Sequence, residues 1–152
     1  MILIGASSLI ITGIYDINFK EVPYKFTVTP IILTVVYEII RIIFFNKQIL
    51  IQNLFAGAGI FIVFYIISRI KPGSIGGADI LLFTVMGFIL GPLYISAFMT
   101  LTGIIGILIY AIEKALKKEF LTDGKGIALI PSMFISFAFI MMLFPLISHL
   151  YV

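Results

Sequence analysis

The chain has 152 residues, 62% hydrophobic and only 11% charged, with a formal net charge of +3 and a mean hydropathy of +1.26. Soluble domains carry about a quarter charged residues, so this chain cannot cover a water-facing surface, which excludes a soluble enzyme, a disordered segment and a nucleic-acid module. Zero cysteines exclude a disulfide framework, a thiolate metal site and a cysteine nucleophile, and a single histidine, His149, near the C-terminus, excludes a histidine-rich metal site and argues against a Ser-His-Asp triad.

The elements follow from the apolar runs, because a helix needs roughly 20 apolar residues to cross about 30 Å of hydrocarbon. The first run, Met1 to Tyr15, ends at Asp16; it has no basic flank and no small-residue cleavage site, and reads as a retained helix continuing toward Phe19. The second is Phe26 to Phe45, interrupted by Glu38 and Arg41, and the third is Ile49 to Ile67. The stretch Ile80 to Ile112 is too long for one span and splits at Gly91-Pro92 into Ile80 to Leu90 and Leu93 to Ile112. Ile127 to Leu150 closes the set. The expected fold is all-α, a single membrane-embedded domain over 1–152 with six transmembrane helices and both termini outside. Small residues in span three (Ala56-Gly57-Ala58-Gly59) and span five (Gly103 and Gly106) read as close internal helix packing.

Basic residues set the orientation. Lys20, Lys25, Arg69, Lys71, Lys114, Lys117, Lys118 and Lys125 fall in alternate loops, against Arg41 and Lys47 on the other side. The loops after spans one, three and five are therefore assigned to the cytoplasm, with 113–120 extending span five as an amphipathic helix. Of the seven acids, Glu21, Glu113, Glu119 and Asp123 read as solvated in those loops. The other three stand at membrane depth, where ionisable groups are costly and mark function. Asp16 lies just inside the cytoplasmic boundary. Asp79 opens the short fourth span after a glycine-rich loop. Glu38 and Arg41, at i and i+3 in the outer half, read as a structural pair.

Two aspartates at similar depth on one side can share a proton, so that the ionised one activates water and the neutral one donates to a carbonyl. Position alone equally allows Asp79 to be a helix N-cap. Tyr15 beside Asp16 reads as an interfacial tyrosine.

The segments around these residues carry a resemblance. Asp16-Ile-Asn-Phe-Lys-Glu-Val22-Pro23 resembles the first active-site motif of the type IV prepilin peptidases, an aspartate followed seven positions later by proline. Gly76-Gly77-Ala78-Asp79 resembles their GxGD signature, and Ile130-Pro131 their C-terminal Ile-Pro segment. The chain departs from the family at Asn18, Tyr24, Ala78 and Leu81, and it lacks the cysteine-bearing cytoplasmic insert linked to N-methylation. It is thus similar to the minimal, peptidase-only members, including those of Tad-type pili and the archaeal preflagellin peptidases. The resemblance implies an aspartic endopeptidase of the prokaryotic cytoplasmic (inner) membrane, multi-pass. Such an enzyme removes the short basic leader of prepilin-like proteins at the cytoplasmic face, with no cofactor or metal and no nucleic-acid partner. Carried over by residue, Asp16 and Asp79 are the catalytic pair. Gly76 and Gly77 allow close backbone approach beside Ala78, and Pro23 shapes the exit from span one. The alternatives are a non-enzymatic pilus-assembly subunit and a small ion-coupled channel or carrier using Asp16, Asp79, Glu38 and Arg41.

Overall fold

A computed structural model describes residues 2–19, 23–44, 47–72, 75–116 and 129–148. Lys20, Glu21, Val22, Lys117, Lys118, Glu119, Asp123, Lys125 and His149 lie outside the described residues, as do the side chains of Arg41 and Lys47. The described chain is all-helical: α1 (Ile2–Phe19), α2 (Tyr24–Phe44), α3 (Lys47–Ile70), α4 (Gly77–Leu116) and α5 (Leu129–Ser148). Segment 51–70 of α3 and the whole of α4 are long and apolar enough to cross a membrane, and Ile4–Asp16 and Leu129–Leu143 form shorter apolar helices.

The expected fourth and fifth spans both fall in α4. Its 40 residues would extend about 60 Å if straight, twice the hydrocarbon thickness. The helix is instead broken at Gly91, whose backbone is non-helical at φ 69° and ψ −179°. This left-handed φ favours glycine. Pro92 then opens the following arm, where its missing N–H has no helical partner to lose. A Cβ at Gly91 would also run into the Asn53 carboxamide of α3.

The chain forms two compact units, Met1–Ser96 and Ala97–Val152. In the first, α2 packs on both α1 and α3, and the 77–90 arm of α4 is buried on nearly every side through Ile80, Leu82, Phe83, Val85, Met86 and Phe88. A helix apolar all round belongs in an interior. This arm runs antiparallel to α3: Asn53 meets Gly91, Gly57 meets Gly87 and Phe88, and Phe64 meets Phe83 at a ring separation of 5.2 Å. In the second unit the buried positions Ile130, Met133, Phe137 and Ile140 recur at helical spacing along α5, as do Phe98 and Thr102 along α4.

Hydroxyls enter these apolar faces by bonding to their own helix. Thr12 donates to the Ser8 carbonyl at 2.6 Å, Thr84 to Ile80 at 2.8 Å and Ser136 to Ser132 at 2.8 Å. These three buried hydroxyls thereby avoid the cost of an unmade hydrogen bond.

The small-residue reading holds at Gly57 and not at Gly59. A Cβ on Gly87 would lie 2.8 Å from the Gly57 Cα and 3.0 Å from Ile60 Cδ1, whereas one on Gly59 meets nothing within 4 Å. Gly87→Ala is therefore expected to lower the unfolding temperature by several degrees, an overpacking cost of about 1–3 kcal/mol. Gly59→Ala is expected to leave it unchanged. Thermal unfolding in detergent checks both.

One expectation is corrected. Glu113 is not a solvated loop acid: it stands inside α4 and is buried, while the adjacent Lys114 and Leu116 are exposed. The helix runs on through this position to Leu116, and its buried face turns Glu113 inward.

Candidate functional site

Asp16 stands one turn before the end of α1, and Asp79 stands in the first turn of α4. Both are partly buried. Although 63 positions apart in sequence, the two carboxylates lie within electrostatic reach of each other. Antiparallel packing explains the meeting. The Tyr15 ring sits 4.6 Å from that of Phe26 at the start of α2, so the end of α1 and the start of α2 share one level. Tyr15 is thus packed against α2. Pro23 precedes α2 and accepts the Phe26 N–H at 2.9 Å, closing that helix's first turn. Its place there is that of a turn proline.

Asp79 is not the N-cap. The helix begins at Gly77, which makes Gly76 the capping residue and Asp79 the third helical position. The Gly76 carbonyl accepts the Ile80 N–H at 3.1 Å, and the Gly76 N–H donates to the Asp79 carboxylate. A carboxylate at the third position reaching back to the cap N–H is the acidic half of a capping box. It also places negative charge at the positive end of the helix dipole. The bond holds the carboxylate of Asp79 at the start of the helix, within electrostatic reach of Asp16.

The glycines divide. A Cβ on Gly76 would lie 2.8 Å from Asp79 Oδ2, so Gly76 is the position where backbone and carboxylate come close. A Cβ on Gly77 meets nothing within 4 Å among the described residues. Ala78, where the GxGD signature has glycine, lies in the first helical turn with ordinary backbone geometry, and its methyl is accommodated. The capping role of Gly76 was invisible in the sequence, where the start of the helix could be placed only to within a few residues.

Glu38 is separate from this pair. It is fully buried on α2, 12 residues beyond Phe26, or about 18 Å along the helix. Its expected pairing with Arg41 falls on a side chain outside the described residues.

The sequence profile of the type IV leader peptidase family matches residues 3–112, well over half of the chain. The chain belongs to the type IV leader peptidase family. No curated protein and no solved structure matches it. As a leader peptidase family member it is a peptidase, and its composition and apolar helices are those of a membrane protein. The matched segment covers all but the first residue of α1, the whole of α2 and α3, the Gly91 break and both aspartates, and it ends before α5 with Ile130-Pro131.

Proposed function

We propose that this leader peptidase family member is an aspartic endopeptidase, with Asp16 and Asp79 as its catalytic pair. The observation that carries this reading is the approach of two carboxylates from helices far apart in sequence, one of them held by the Gly76 N–H. Neighbouring carboxylates share one proton. The ionised member takes a proton from water as the water oxygen attacks the scissile carbonyl carbon, and the neutral member gives its proton to the carbonyl oxygen. The tetrahedral diol then collapses: the C–N bond breaks, the departing nitrogen takes the proton that the first carboxylate drew from water, and a diol hydroxyl returns its proton to the second carboxylate. No side chain beyond the two carboxyls is required, which suits a chain with one histidine and zero cysteines.

The substrate in this reading is the leader of a prepilin-like protein, cut at the cytoplasmic face of a prokaryotic inner membrane crossed six times. The whole chain acts as one peptidase domain, with Gly76 supporting Asp79. The end of the first unit that holds the aspartates also carries exposed Lys25, Arg69 and Lys71, which favours a cytoplasmic assignment for that end. Purified protein in detergent, incubated with a prepilin-like substrate, is expected to release the leader and a shortened product, seen by gel mobility and mass. Absence of any cut by folded protein would favour a non-enzymatic assembly subunit instead.

A further inference from the structure

The exposed face of α3 carries a graded ladder toward the end that holds the aspartates. Phe61 stacks on Tyr65 with ring centroids 5.8 Å apart and planes 17° from parallel. Tyr65 in turn holds Arg69: Nε and Nη2 both donate to its hydroxyl, at 3.1 and 2.7 Å, and the guanidinium carbon lies 5.1 Å from the ring centroid. Apolar ring, amphipathic ring and cation succeed one another at i, i+4 and i+8 among exposed Ile62, Ile66 and Ile70. That order matches the passage from hydrocarbon to head groups. Lys71 follows, exposed, with its backbone N–H closing the last turn of α3 onto Ile67 at 2.9 Å.

The antiparallel register of α3 and α4 fixes the level of this cation. Phe64 meets Phe83, so four residues further on α3 and four back on α4 bring Ser68 opposite Asp79. Arg69 therefore stands at the depth of Asp79, on the outer face of the helix beside it.

We propose that Arg69, held by Tyr65, and Lys71 form a binding site for the phosphate of an anionic phospholipid. The proposal rests on the membrane-spanning reading and is independent of peptidase chemistry. Guanidinium has five N–H donors in a planar fork. Two are spent on Tyr65, which leaves three in a fixed orientation, suited to the oxygens of a phosphate. The hydroxyl and the ring also remove much of the rotamer freedom that an exposed arginine would lose on binding.

The test uses the full-length protein in phosphatidylcholine vesicles, with spin-labelled phosphatidylglycerol or spin-labelled phosphatidylcholine as probe. The readout is the protein-associated fraction of each label. Wild type is expected to prefer phosphatidylglycerol, and Arg69→Gln to lower that preference about fivefold, the effect of one surface cation. Tyr65→Phe, which keeps the ring and removes the acceptor, is expected to fall between the two, while Lys25→Gln, which removes a surface charge at the same end but outside the site, lowers the preference less than Arg69→Gln; an equal loss in both would reduce the effect to general surface charge and overturn the proposal. Equal association of both labels with wild type, or an undiminished preference in Arg69→Gln, would overturn the proposal. Displacement of the labelled lipid by millimolar inorganic phosphate would also overturn it, by assigning the cations to a soluble anion. Cleavage is not measured, so a failure here is distinct from a failure of the peptidase reading.

Discussion

Asp16→Asn and Asp79→Asn are each expected to lower leader cleavage by about 10⁴-fold or more, with the protein still inserted and folded. Asparagine has nearly the shape of aspartate but can neither take a proton from water nor give one to a carbonyl. At Asp79 it also preserves the cap, since its carboxamide oxygen can accept the Gly76 N–H as the carboxylate does. Asp79→Ala adds the loss of that cap, about 1 kcal/mol of helix stability, so comparing the two variants separates proton chemistry from helix capping. Groups that act as a unit are not additive, so the double variant should be no slower than the single ones. Cleavage rates with a prepilin-like substrate, paired with thermal unfolding in detergent, check each point. Full cleavage by either single asparagine variant would remove the aspartic mechanism.

Much of the helical layout was legible because composition left few ways to place it. Apolar runs of about 20 residues can only be helices if their backbone groups are to be satisfied in lipid. The residues that end them are visible in the sequence: Asp16, Pro23 and Gly91-Pro92. What the sequence hid were facts of register and facing. Glu113 looked like a loop acid because Lys114, Lys117, Lys118 and Glu119 follow it closely, yet α4 continues past it and turns it inward. Gly57 and Gly59 are equivalent in sequence but lie two positions apart on a helix, about 200° around it, so only one of them can face Gly87.

The site shows the same division. Asp16 and Asp79 stood out because acids are scarce in the chain and because their surrounding motifs resemble a peptidase family, to which the match over residues 3–112 assigns the chain. Their approach to each other depends on α1, α2, α3 and α4 alternating in direction. Sequence periodicity allows this arrangement but does not measure it. Arg69 was legible only as one of eight basic residues on one side. Its hold on Tyr65 needed the i, i+4 geometry of α3.

Gly76→Ala is expected to lower cleavage about 10- to 100-fold while Gly77→Ala stays within about twofold of wild type. The contrast follows from where each added methyl would go. On Gly76 it would lie 2.8 Å from Asp79 Oδ2 and 3.5 Å from Cγ, so the carboxylate must rotate away and release the Gly76 N–H. Displacing a reacting group by about 1 Å can cost about 10²-fold, because a near-attack geometry is lost even when the group remains present. On Gly77 the methyl enters open space in the first helical turn. Alanine there restricts the unfolded chain and should stabilise slightly, by about 0.4–1 kcal/mol. The loss in Gly76→Ala should fall on kcat more than on KM, since a carboxylate has moved while the surfaces that hold substrate have not. Equal losses in the two variants would mean that the glycine pair serves backbone freedom in the turn, and that contact between Gly76 and Asp79 does not set the position of the carboxylate.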